Sequence, residues 1–312
     1  MKSTAVFHVG FHKTASTFIQ KGLFEAYPDT FHRVRQREIF DHFIFPSDLI
    51  WDSREASQFF KTECKVAGDR IAVFSNERLS GGPHFGGHDS LVIMRRLREL
   101  DGDARILLVV REQGAMIRSL YSQFVRAFGM CSLQEYIEGG YSPHSKELFD
   151  FRFLEYHRIV GEYLEAFGKS SVHVLPFEAL LSNRDGFRCK VLEACGVPQS
   201  EWPSLEWALP KKENARSSAF QVAIARRLNP LIRSSIPHVG ATYYSPLTSL
   251  MARGVVKGAG SRVFSSLNQR RERRQAVYVQ EFLADRYAES NRRLQELTGL
   301  DLAALDYRVA VN

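Results

Sequence analysis

The sequence predicts an α/β fold, a three-layer arrangement in which helices flank a central parallel sheet, with a mostly helical C-terminal extension. Three observations predict it. Short apolar runs of the length and composition of buried parallel strands lie at 5–9, 71–75, 105–110 and 171–175. Between them, segments 15–27, 54–67, 90–100, 114–128, 151–167 and 184–195 carry apolar residues at spacings of three and four, the period of an amphipathic helix. After residue 199 the strand pattern fades. Strands alternating with helices close into a parallel sheet through right-handed crossovers, with helices on both faces.

Taken in order, Ala5-Val6-Phe7-His8-Val9 is the first strand, and Gly10 ends it. The runs at 71–75 and 105–110 are bounded by polar or turn residues, as buried strands are. In such a sheet ligands collect beyond the carboxyl ends of the strands, so the residues after Val9, Ser75 and Val110 should converge on one crevice. Residues 199–212, rich in Trp, Pro and Glu, read as a loop, and 215–228 reads as a helix. The stretch 230–268 is punctuated by Pro, Gly and Ser and yields no assignment, while 271–297 predicts one basic amphipathic helix. There is no internal repeat. The expected organisation is a single domain over 1–312, with an α/β core to residue 200 and a basic extension, 201–312, folded over the crevice.

Composition sets the class. Of 312 residues, 44% are hydrophobic and 25% charged, which excludes disorder as the main state. Cys64, Cys131, Cys189 and Cys195 form neither a disulfide framework nor a zinc-type spacing, so no metal is expected. No signal peptide or membrane span is legible, which gives a cytoplasmic expectation. The formal charge of +7 is uneven: residues 211–300 hold 16 Lys/Arg against 6 Asp/Glu. That excess points to an anionic partner, with phosphate, sulfate, nucleic acid and a membrane surface all compatible.

Gly10-Phe11-His12-Lys13-Thr14-Ala15-Ser16-Thr17 follows the first strand and opens a helix, where backbone N–H groups, a lysine and hydroxyls make an anion site. Against the nucleotide-phosphate pattern GxxxxGK[ST], Gly10 and Thr17 fall in register, but Ala15 replaces the second Gly and Ser16 the Lys. The lysine sits three places upstream, at Lys13. The plainer alternative is a strand–turn–helix corner with a capping hydroxyl.

Residues 7–20, with their His-Lys-Thr-Ala-Ser-Thr string, an apolar pair and Gln20, resemble the 5′-phosphosulfate loop of sulfotransferases that use 3′-phosphoadenosine-5′-phosphosulfate (PAPS). Many bacterial members carry Gly where Ala15 stands. A second block agrees: Arg111 ends a strand and Ser119 lies eight residues later, as in the family's 3′-phosphate site, although Gln113 stands where a Pro is common. A guanidinium fork plus a hydroxyl suits a phosphate monoester. Residues 163–168, 172–178 and 192–197 resemble later parts of the family fold, and the likeness extends from residue 4 to about 230.

The resemblance implies a P-loop-like fold and sulfuryl transfer from PAPS to a hydroxyl of a small-molecule or glycan acceptor, on a carbohydrate or glycolipid, leaving 3′-phosphoadenosine-5′-phosphate. Lys13 would stabilise the leaving phosphate, with His12, Thr14, Ala15, Ser16 and Thr17 around it. Glu77, just past the strand at 71–75, would be the base, with His84 or His88 as alternatives. A late basic loop would bring Asn214 and Arg216 to the cofactor, against the alternative of a solvated helix start. The run Arg270-Arg271-Glu272-Arg273-Arg274 offers peripheral contact with an anionic glycan or lipid surface, or is a wet helix face. A kinase or NTPase remains a competing class, as does a non-catalytic anion- or nucleic-acid-binding protein; no base-reading motif is present and no nucleic acid partner is expected. The oligomeric state is not legible.

Overall fold

Five strands form one all-parallel sheet: β1 (Ala5–His8), β2 (Phe31–Arg33), β3 (Ile71–Ser75), β4 (Arg105–Val110) and β5 (Val172–Pro176), in the order β2-β3-β1-β4-β5. The computed structural model describes residues 5–127, 129–139, 150–208, 217–232 and 245–310. β1 is central, with Val6 beside Val73 on one side and Arg105 on the other. The chain leaves β1 for β2 and β3, then crosses to β4 and β5. The strand order therefore reverses at β1, and its carboxyl end is the expected ligand crevice.

The pleat sends alternate residues to opposite faces. Val6, Val73, Leu107 and Val109 pack with Ile19, Leu23 and Phe24 and with Phe187, Val191 and Leu192 of the helix Arg184–Cys195. On the other face Phe7 and Phe74 meet Phe60 of the helix Ser53–Ala67, at ring separations of 5.9 and 5.0 Å. The sheet is thus covered on both sides by helices, the α/β architecture read from the pattern of apolar runs.

The chain forms two compact units. One, Met1–Glu112 with Asp150–Lys211 and Asp285–Asn312, holds the sheet. The other, Gln113–Phe149 with Lys212–Ala284, is helical, with the helices Gln113–Arg126, Ala219–Leu228, Pro246–Ala259 and Ser265–Leu283 packed on one another. The unit boundaries fall at 112, 149, 211 and 284.

Three readings need correction. The edge strand β2 was not among the expected strands. The single helix expected over 271–297 is two helices, Ser265–Leu283 and Ala288–Thr298, separated where Ala284 turns to φ 42°. Within 230–268 the structure supplies the helix Pro246–Ala259, started by a Ser245–Thr248 capping box, while 233–244 lie outside the described residues. Among the described residues no helix is long and apolar enough to cross a membrane.

Candidate active site

The loop after β1 is stitched to β4. Val9 N–H donates to Leu107 O at 2.9 Å and Phe11 N–H to Val109 O at 3.1 Å. Phe11, fully buried, packs its ring against Tyr156 at 4.7 Å and Phe153 at 5.5 Å. Beyond this anchor the backbone takes positive φ at Gly10 (44°), Lys13 (64°) and Ala15 (64°). Alternation of φ sign through residues 13–16 turns successive N–H groups to one side, the nest geometry that suits an anion. The chain then runs helically from Ser16 to Phe24, α to Ile19 and π from Gln20. Ala15 is therefore not a helical residue but the left-handed cap before the helix, where glycine would be unstrained.

Side chains in this loop differ in availability. Thr14 is fully buried and its hydroxyl donates to Phe11 O at 2.5 Å, closing the loop on itself. Thr17 is exposed, while Lys13 and Ala15 are half-buried. Ser16 Oγ is buried without a hydrogen-bond partner, and so is His8 Nε2. Both border Gly10: a Cβ there would lie 3.1 Å from Ser16 Oγ and 3.3 Å from His8 Nε2. Two orphaned polar atoms in one place are what a bound polar group would satisfy.

Beneath the loop, Ser75 Oγ accepts from Gln20 Nε2 at 2.8 Å and lies 2.7 Å from His8 Nδ1. Burial pushes the His8 pKa down to about 4, so the ring is neutral near pH 7. With the Ser75 hydroxyl donating to Nδ1, we assign the proton to Nε2, the nitrogen beside Gly10.

Glu77 enters from the neighbouring strand. Asn76 ends β3, and its amide is fixed at both ends, donating to Gln36 O at 3.1 Å and accepting from Arg78 N at 2.9 Å. Glu77 follows as the first residue of a 3-10 turn, with Oε1 3.2 Å from His12 Nδ1, a charge contact off the line of a hydrogen bond. Burial works to raise its pKa, but His12, Lys13 and His8 outweigh burial and hold the carboxyl below its ordinary value. Glu77 is thus ionised at neutral pH. Arg78, the next residue, pairs with Asp89 at 3.0 Å.

Arg111 closes the arrangement from β4. Its Nη1 donates to Lys13 O at 2.9 Å and its guanidinium lies over the Phe177 ring at 4.6 Å. Its own carbonyl accepts from Tyr156 OH at 2.7 Å. Glu178 then braces the turn, accepting from Glu112 N–H at 3.0 Å and from Tyr307 OH at 2.8 Å. Burial raises the Glu178 pKa. Tyr156 and Tyr307 were not anticipated. The apolar pattern around Tyr156 marks it only as core, and no local signal links Tyr307 to Glu178, 129 positions earlier.

The structure therefore brings Lys13, His12, Ser16, Glu77 and Arg111 to the ends of three adjacent strands. Ser119 is buried on the helix Gln113–Arg126, in the other unit. Asn214 and Arg216 lie outside the described residues. His84 is held near pKa 4 by burial, then by the charges of His12 and Arg78, while His88 is exposed.

The chain matches no family model, and comparison with curated proteins finds no match either. Among solved structures it is similar to a sulfotransferase from Alicyclobacillus acidocaldarius, at 19% identity and a TM-score of 0.48, over 67% of this chain and 86% of that one.

Proposed function

We propose that the protein is a PAPS-dependent sulfotransferase acting on a hydroxyl of a carbohydrate or glycolipid. The observation that carries this reading is the Arg111–Lys13 contact, which joins the two residues expected at opposite phosphates of one nucleotide. The donor set also fits. The loop amides, the orphaned Ser16 hydroxyl and His8 Nε2, the Lys13 ammonium and the Arg111 guanidinium all suit phosphate and sulfate oxygens. When bound, PAPS supplies an activated sulfuryl group on a phosphate leaving group.

Each residue then has a definable task. Ser16 and the amides of residues 13–16 hold the 5′-phosphate. Lys13 places a positive charge where negative charge develops on the leaving oxygen, an interaction stronger in the transition state than before it. Arg111, held flat against Phe177, takes the 3′-phosphate. Glu77 accepts the proton of the acceptor hydroxyl, and His12, Lys13 and His8 favour its ionised form. The choice of a carbohydrate-type acceptor rests on Glu77 as the base. The test is incubation with PAPS and a panel of glycans, glycolipids and phenols, read by mass spectrometry. An 80 Da gain on a hydroxylated glycan or glycolipid, the mass of one SO3 group by elementary chemistry, is expected; a gain on phenols alone, or on none, contradicts the proposal.

A further inference from the structure

The helical unit contains a cavity of about 550 Å³, lined along one side by residues 267, 270, 271, 274, 275 and 278 of the helix Ser265–Leu283. These positions recur at three and four and form one stripe. An amphipathic helix ordinarily makes its inward stripe apolar. The stripe facing this cavity instead carries Arg271, half-buried, with Arg270 and Arg274 at its exposed rim, and Arg226 joins them from the helix Ala219–Leu228. Among the described residues, none of the four has a carboxylate within ion-pair distance. The nearby acids are engaged elsewhere: Glu135 closes a capping box with Ser132, and Glu138 accepts from Tyr278 OH at 2.8 Å.

Gathering guanidiniums without a counter-charge is costly. Burial, and then the charges of Arg227, Arg226 and Arg274, pull the Arg271 pKa down against the opposing influence of Tyr121. The rest of the wall is mixed: Ser132, Gln134 and Gln275 are polar, while Leu133, Ala223 and the rings of Tyr121, Phe220 and Tyr278 give it an apolar and aromatic part, with Tyr121 buried and Phe220 half-buried. A cavity of this size with convergent charge on an apolar floor has the form of a small-molecule site.

We propose that this cavity binds an organic anion, a phosphate or sulfate ester with an aromatic or apolar body, its oxyanion held by Arg226, Arg270, Arg271 and Arg274 and its body on Tyr121 and Phe220. Its lining residues all belong to the helical unit and none to the Lys13 loop, and the proposal does not depend on that loop's assignment. Such an ester reaches the protein either free or as a lipid headgroup.

The probe is 2-naphthyl phosphate, titrated calorimetrically into the full chain beside inorganic phosphate and 2-naphthol. The ester should bind at least about tenfold tighter than either half of it, because only the ester uses both the charges and the floor. Arg271→Ala with Arg274→Ala should weaken it by about tenfold or more, and Lys13→Ala should leave it unchanged. If the double variant fails to fold, Arg270→Gln at the exposed rim should still weaken binding and steepen no salt dependence. Sedimentation with phosphatidylglycerol vesicles separates the sources: vesicle binding lost in the variant assigns a lipid headgroup, and no vesicle binding assigns a free ester. Equal affinity for the three probes, full retention in the arginine variants, or loss in Lys13→Ala would overturn the proposal.

Discussion

Arg111 donates from Nη1 to the carbonyl oxygen of Lys13 at 2.9 Å, so a side chain at the end of one strand fixes the main chain of the loop after its neighbour. The two residues are 98 positions apart and become adjacent only because β1 and β4 pair in parallel. The contact makes the lysine's backbone carbonyl a structural acceptor. Arg111 is itself held by Phe177 below and by Tyr156 through its carbonyl.

Lys13→Ala should lower sulfuryl transfer by about 100- to 1,000-fold, the scale of removing one preorganised charge-stabilising group. The fold should survive, because the Lys13 contribution to the Arg111 contact is its carbonyl, which the substitution keeps. Single-turnover kinetics with a melting curve would check this; an unchanged rate in a folded variant removes Lys13 from the mechanism.

Glu77→Gln keeps the shape of the side chain and removes its basicity. Turnover should fall by about 100-fold or more, with affinity for 3′-phosphoadenosine-5′-phosphate nearly unchanged. Retained turnover would transfer the role to His84, which shares the field of His12.

Ala15 holds φ 64° and ψ 23°, a conformation that disfavours any Cβ. Ala15→Gly should therefore stabilise the protein by about 0.5–1 kcal/mol, the relief of left-handed strain less the extra chain entropy of glycine. Urea unfolding monitored by circular dichroism reads this directly, and a destabilised variant would contradict the strain assigned here.

Acid should weaken the fold through His8 before Glu77 titrates. The His8 pKa falls from 6.5 to about 4 on folding, so the unfolded chain takes up a proton at higher pH than the native one. Stability is fully present above about pH 6.5 and declines as pH drops toward 4, with His84 contributing in the same window. Glu77, whose native pKa is depressed, adds its loss only below 4.5. His8→Gln should flatten the melting-temperature profile between pH 6.5 and 4.5; an identical slope would show that His8 does not carry the effect.

What was legible follows from what is local. Strands β1, β3, β4 and β5 announce themselves because each is mostly buried and written largely in apolar residues. β2 does not: Phe31-His32-Arg33 is a three-residue edge strand, paired only with β3 and partly polar. The break at Ala284 carries no Gly or Pro, and Ala15 hides its left-handed backbone behind an ordinary side chain. Residue types alone drew attention to the loop at Lys13 and Ser16. The Glu77–His12 contact and the Tyr307–Glu178 brace belong to tertiary structure and have no signature in either segment alone.

The central claim is that the Lys13 loop and Arg111 hold one nucleotide by two phosphates. Calorimetric titration of wild type and Arg111→Ala with 3′-phosphoadenosine-5′-phosphate, adenosine 5′-phosphate, ADP and ATP tests it most directly. Wild type should favour the 3′,5′-bisphosphate over the other three. Arg111→Ala should lose about 10- to 100-fold for that ligand, the scale of a charge-assisted pair, and far less for adenosine 5′-phosphate. Equal losses for both ligands, or tighter binding of ATP than of the bisphosphate by wild type, would contradict the account.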